Sequence, residues 1–289
     1  MTKPEKKNLP ASIHERLLNK AKSSGRPFNE LLQYYGIERF LYRLAESPYR
    51  DRFILKGALI FAAWGAPLSR PTRDIDLLAH TSNSINNIVA IVTAICNQDV
   101  QPDGMTFDPA SVVGEKIKEQ DEYEGVRVRF RGYLGNARVN MQVDMGFADV
   151  VSPAPELVEY PTLLDLPRPH LRGYPRETVV AEKVHAMVTL GAINSRMKDF
   201  YDLWLLARKF SFDGASLSEA IRNTFAHRAT QIPNEMPVGL TDEFAREKQT
   251  QWQAFVRTGK IDDAPQELAT VLAELREFLW PELQRASRG

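Results

Sequence analysis

The chain has 289 residues, 43% apolar and 26% charged, with 37 basic against 37 acidic side chains and a formal net charge of zero. That length holds a sizeable core and favours two lobes over one, while the charge balance excludes a global field drawing the protein to nucleic acid or membrane and leaves only local basic surfaces. One cysteine, Cys96, excludes an internal disulfide, and the absence of a signal-like start or an 18-residue apolar run leads us to expect a soluble, cytoplasmic protein with no membrane partner.

Residues 1–10 are charged and carry Pro4 and Pro10, which reads as a loose arm. From Ala11 to Leu44 the pattern is helical, with Ser12 and Glu15 spaced as a capping box. Ser24-Gly25-Arg26-Pro27 interrupts it, and Asn29 opens a second helix with Leu31, Leu32, Tyr35, Ile37, Phe40, Leu41 and Leu44 at spacings of three and four. The stretch Phe53–Phe61 then places Lys56-Gly57-Ala58 at the head of an apolar, helix-like run. A polar loop leads from it into Arg70-Pro71-Thr72-Arg73-Asp74-Ile75-Asp76. Glycine lets backbone amides approach phosphate oxygens, and a helix N-terminus adds aligned donors. In an extended segment Asp74 and Asp76 point to one side, where they can share a hard divalent cation that keeps positions open for phosphate. The pattern suits metal-dependent handling of a nucleoside triphosphate; the plainer alternative is a packed glycine and ordinary turn chemistry.

Ser82 to Ile95 reads as a helix that buries Cys96 at its end, and 97–121, with Pro102, Gly104, Pro109 and Gly114, as irregular apart from a short strand. The clearest strand signal follows. Val126, Val128 and Phe130 alternate with Arg127, Arg129 and Arg131, and after Gly135-Asn136 a second arm runs from Ala137 to Phe147. On that arm Val139, Met141 and Val143 point one way and Asn140, Gln142 and Asp144 the other. Asp144 is therefore a candidate third carboxylate, the alternative being a surface aspartate paired with a facing arginine. Three converging aspartates repel unless a metal or a proton intervenes. On that ground Asp76→Asn and Asp144→Asn should leave the stability of the metal-free protein unchanged or raise it.

Six prolines punctuate 152–176, which reads as a linker or an extended crossing. Beyond it the chain is helical. Glu177–Leu190 sets Lys183 at the edge of an apolar stripe, and the next helix carries Arg196, Asp199 and Asp202 on one face. Either aspartate can orient Lys183 towards phosphate; the alternative is an interhelical salt bridge. Helices follow at 216–228, 241–257 and 265–279, then a frayed polar tail with Arg285 and Arg288. The expected fold is α+β: an N-terminal helical segment (1–48), a core with a small mixed β-sheet (49–152) and a helical C-terminal lobe (153–289).

Taken together, Lys56-Gly57-Ala58, Arg70 to Asp76, Val143-Asp144, Glu177 to Lys183 and Arg196-x-Lys198-Asp199-x-x-Asp202 resemble the AbiEii/AbiGii-type toxin nucleotidyltransferases, within the DNA polymerase β-like superfamily. The superfamily's usual Gly-Ser or Gly-Gly is here Gly57-Ala58, so a hydroxyl to phosphate is missing, and backbone amides or Thr72 take its place. The resemblance implies that Asp74, Asp76 and Asp144 bind two Mg2+ ions (or Mn2+), with Asp144 activating the attacking hydroxyl. It implies that Lys183 contacts the NTP with Asp199 or Asp202 beside it, and that Lys56, Gly57, Ala58, Thr72 and Arg73 line the nucleotide. It further implies transfer to the 3′ end of tRNA and a separate winged-helix antitoxin. An RNA acceptor needs basic contacts, for which Arg70, Arg73, Arg127, Arg129, Arg131 and Arg138 are candidates, with cross-strand pairing the alternative. Modification of a protein or small molecule, and a non-catalytic nucleotide-binding module, are the competing readings.

Overall fold

The computed structural model describes residues 8–66, 72–119 and 123–288, so the first seven residues of the arm, Arg70 and Pro71 lie outside the described residues. Contacts divide the chain into two units. One comprises the residues up to Ala148 with Leu157–Gly173, the other Asp149–Glu156 with Tyr174 onward.

The first unit is a seven-stranded mixed sheet with helices packed on it, so the chain is α+β as expected. Its strands are β1 (Phe53–Lys56), β2 (Asp74–Ala79), β3 (Met105–Glu119), β4 (Tyr123–Leu134), β5 (Ala137–Gly146), β6 (Glu156–Glu159) and β7 (His170–Gly173), in spatial order β3-β4-β5-β2-β1-β7-β6. The β4–β5 hairpin turns at Gly135-Asn136, with Gly135 at φ +59° and Leu134 facing Ala137. Val126, Val128 and Phe130 of β4 are buried, as are Val139, Met141 and Val143 of β5. The helices here are α1 (Leu9–Ser24), α2 (Phe28–Glu46), the five-residue α3 (Leu59–Ala63) and α4 (Ile85–Cys96). A Cβ at Gly36 of α2 would sit 3.2 Å from both Met141 and Val139, so α2 packs on the odd-numbered side chains of β5. The even-numbered ones are left on the opposite face.

Four expectations change. Asn8, whose side chain accepts the Ala11 N–H at 3.1 Å, caps α1 in place of Ser12, because Pro10 already occupies the first turn. The second helix begins at Phe28 after Pro27, one residue before Asn29. Residues 105–119, read as mostly irregular, form the 15-residue β3; its register on β4 shifts between Asp108 and Val113, which breaks the alternation that announces a strand. The proline-rich 152–176 returns to the sheet as β6 and β7, with Pro161, Pro167 and Pro169 between them.

α2 also buries charge. Arg43 grips Asp103 through two bonds of 2.7 and 3.1 Å. Glu38 accepts the Leu163 N–H at 2.7 Å beside Arg39, and burial pushes its carboxyl up to about 8 against the pull of Arg39.

The second unit is helical: α5 (Arg176–Leu190), α6 (Met197–Lys209), α7 (Gly214–His227), α8 (Asp242–Gly259) and α9 (Leu268–Arg288). The tail expected to fray continues α9 instead, since Leu283 and Ala286 extend the buried stripe begun by Leu272, Leu275 and Leu279. Among the described residues no helix is long and apolar enough to cross a membrane.

Candidate active site

Gly57 joins β1 to α3 and meets two demands at once. Its φ is +68°, and a Cβ there would lie 2.7 Å from Cγ of Asp76. The apolar run after it makes only the single turn of α3, whose start at Ala58 has no side-chain cap. The phosphate-facing helix expected from the sequence is thus too short to sum a substantial dipole.

Strand register then assembles the acids. Lys56 faces Asp76 across β1 and β2, Asp76 faces Asp144 across β2 and β5, Asp144 faces Arg127 across β5 and β4, and Arg127 faces Glu115 across β4 and β3. Residues opposite one another in register project from the same face. A row of charges of both signs (cation, two acids, cation, acid) therefore crosses five strands. One step along, Asp74 faces Gln142, which faces Arg129. Asp74, Asp76 and Asp144 thus share one face of adjacent central strands.

Asp144, one of the two acids at the middle of the row, is held by a guanidinium. Arg127 donates from Nε and Nη2 to the two oxygens of Asp144 at 2.8 and 2.7 Å. This bond raises the Arg127 pKa, and the charges of Asp74 and Glu115 add to it. The repulsion expected among three aspartates is therefore already offset at Asp144 by a cation from the neighbouring strand, and removal of that carboxylate should weaken the fold instead of relieving it. Among the described residues no three carboxylate, imidazole or thiol groups are gathered as a ready cluster for a metal ion. The donor set nevertheless fits a hard divalent cation. It offers carboxylate oxygens on two adjacent strands, and Gly57 leaves Asp76 room that any larger residue would fill.

The remaining arginines divide. Arg129 pairs with Glu115 at 2.7 Å, and Arg131 with Asp108 at 2.9 Å. Arg73 and Arg138 are exposed and line a cavity of about 480 Å3 with Asn29, Gln33 and Asn140. Gln33 fixes its floor, donating to the carbonyls of Arg73 and Asn140. The Thr72 amide donates to the Tyr34 hydroxyl at 3.2 Å, which ties down the segment entering β2.

In the second unit Lys183 of α5 meets both candidate partners, Asp199 at 2.7 Å and Asp202 at 2.9 Å, with side-chain exposures of 16%, 12% and 5%. Spacing by three on α6 brings the two acids to the same cation. Further along α5, Glu182 and Arg228 form a second group with Asp149. Arg228 reaches Asp149 at 3.1 Å and Glu182 at 3.9 Å, and the Tyr174 hydroxyl donates to Asp149 at 3.3 Å. Sequence reasoning missed Asp149, Arg228, Gln142 and Glu115. Only Gln142 was within reach, since the hairpin turn fixes it opposite Arg129, whereas Glu115 lies on β3 beyond the register shift, and Asp149 and Arg228 lie 79 residues apart with no pattern linking them.

A profile of the family described as nucleotidyl transferase AbiEii toxin, type IV toxin–antitoxin system, matches residues 39–274. Among solved structures the chain is similar to a Helicobacter pylori protein whose name proposes a nucleotidyltransferase. That match has 16% identity and a TM-score of 0.45 and covers 86% of this chain and 91% of that one. It is also similar to JHP933 from Helicobacter pylori, at 15% identity and a TM-score of 0.44, over 86% and 88% of the two chains. No curated protein matches.

Proposed function

The chain belongs to the AbiEii family of nucleotidyltransferase toxins of type IV toxin–antitoxin systems, and from that premise we propose that it transfers a nucleotide from an NTP to the 3′ end of tRNA and so blocks translation. The observation that carries the reading is the placement of Asp74, Asp76 and Asp144 on one face of adjacent strands, with Gly57 making room for Asp76. Asp74, Asp76 and Asp144 would hold two Mg2+ ions, which neutralise triphosphate charge and lower the pKa of the attacking hydroxyl. Asp144 receives the proton of that hydroxyl. Its oxygen forms a bond to the α-phosphorus, the bond from that phosphorus to the bridging oxygen breaks, and pyrophosphate leaves with the electron pair. Lys56 offers its ammonium to the triphosphate from beside Asp76, and the family resemblance also gives a part in triphosphate binding to Lys183, which Asp199 and Asp202 hold. Arg73 and Arg138 suit the backbone of a single-stranded RNA end, since neither has an ion pair among the described residues and both open on the cavity. The partner that restrains the activity is an antitoxin, in this reading a separate winged-helix regulator.

The test is incubation with each of the four NTPs, α-labelled, against purified tRNA and against a protein extract, followed by sequencing of the RNA ends. Label at RNA 3′ ends supports the reading. Label in protein replaces the acceptor, and toxicity that survives Asp74→Ala with no label in either pool makes the chain a non-catalytic module.

A further inference from the structure

The contact between Arg127 and Asp144 takes one lone pair on each oxygen of the carboxylate that the proposed chemistry uses as ligand and base. While that fork is in place Asp144 offers a cation only the lone pairs turned away from Arg127, and the neighbouring positive charge weakens its hold on both a cation and a proton. The two partners differ in freedom: the Arg127 side chain is 29% exposed and Asp144 only 11%, so the arginine is the one able to turn away. Its other cross-strand neighbour, Glu115, is already held by Arg129. A released guanidinium therefore has no vacant acid beside it on β3. It remains on the face that carries Asp74, Asp76 and Lys56, where a bound triphosphate would present paired oxygens with the same fork geometry as a carboxylate.

We propose that Arg127 is a positioning residue that exchanges Asp144 for the phosphates of the incoming nucleotide, so that divalent cation and nucleoside triphosphate enter together and each alone binds weakly. The proposal rests on the reading of Asp74, Asp76 and Asp144 as the cation's ligands. Its consequence is a pair of effects of opposite sign on removing one side chain. Without Arg127, Asp144 is open to a cation from the start, while the triphosphate has lost a bidentate donor.

Full-length wild type, Arg127→Gln and Arg127→Lys are titrated with Mn2+ alone, free ion being followed by electron paramagnetic resonance. They are then titrated calorimetrically with the α,β-methylene analogue of each nucleoside triphosphate in saturating Mg2+. Arg127→Gln should bind Mn2+ about tenfold tighter than wild type and the analogue about tenfold more weakly, with Arg127→Lys between the two in both. A purely structural role would weaken both ligands together, and that result overturns the proposal, as does Mn2+ affinity equal to wild type. Arg127→Gln combined with Asp144→Asn should return Mn2+ binding to the wild-type level. If it leaves the tighter binding intact, Asp144 is not a ligand of the cation, and the reading of the site falls with the proposal. Equal Mn2+ affinity in wild type and Arg127→Gln, with transfer to RNA intact, removes the exchange alone.

Discussion

The chain gathers opposite charges in two places by different means. On the helices of the second unit, one cation sits between two acids: Lys183 is largely buried, with Asp199 and Asp202 spaced by one turn of α6. On the sheet of the first unit, three acids share a face and register delivers their counter-charge, with Arg127 opposite Asp144 and Lys56 opposite Asp76. The helical group is closed and largely dry, so its charges depend on one another for solvation. The sheet group is a row along one face, in which Arg127 holds Asp144 and is itself partly exposed. Loss of a partner costs more where the charge left behind is buried than where it can reach water, as Arg127 can, and the two groups should therefore respond differently to the same kind of substitution.

The largest effect should separate them by activity. Asp76→Asn is expected to lower nucleotide transfer on the order of a thousandfold, measured with labelled NTP, while the circular dichroism spectrum stays that of the wild type. Next comes stability in the helical group. Lys183→Met leaves two acids facing each other and should lower unfolding free energy by about 3–5 kcal/mol in urea titrations. Adding Asp199→Asn and Asp202→Asn should recover most of it, and no recovery would mean the loss lies in packing. In the sheet group Asp144→Asn should lower metal-free stability by only about 1–2 kcal/mol, because the Arg127 side chain left behind is 29% exposed and can turn to water. A rise would mean that repulsion among the three aspartates outweighs the attraction of Arg127. The smallest effect concerns the cations at the cavity. Arg138→Ala should reduce the salt-dependence slope of RNA binding by about one, whereas Arg129→Ala and Arg131→Ala, whose guanidinium groups are tied to Glu115 and Asp108, should change it by much less.

How much of this was legible in the sequence depends on how far apart the contributing residues lie. Asp199 and Asp202 share a face by helical period alone, and the hairpin was countable. A two-residue turn at Gly135-Asn136 sets Leu134 against Ala137, and seven steps back along each arm it sets Arg127 against Asp144. The pairing of Asp76 with Asp144 was not countable, because β2 and β5 are joined through a helix and two strands whose lengths no local rule fixes. β3 was hidden for a physical reason: its shifted register and its Pro109 interrupt the alternation, and Gly114 gives it no side chain where Ile85 and Val89 of α4 press within 2.9 Å of a would-be Cβ. Residues 152–176 read as a linker or an extended crossing because prolines mark a turn equally well whether or not strands flank it.

The buried carboxyl of Glu38 carries a consequence for how the protein responds to acidity. Its pKa in the fold is about 8 against an ordinary 4.5, so folding takes up a proton there at any pH between those values. This group's contribution to stability is complete below pH 4.5 and drains away as the pH climbs through 8, the reverse of what a surface-paired carboxylate gives. Chemical denaturation across that window should show Glu38→Gln gaining on the wild type by up to about 1.4 kcal/mol per pH unit. A constant difference would mean that Glu38 is already ionised, held so by Arg39. Mild acid, which keeps the proton in place, therefore favours the folded state of the first unit.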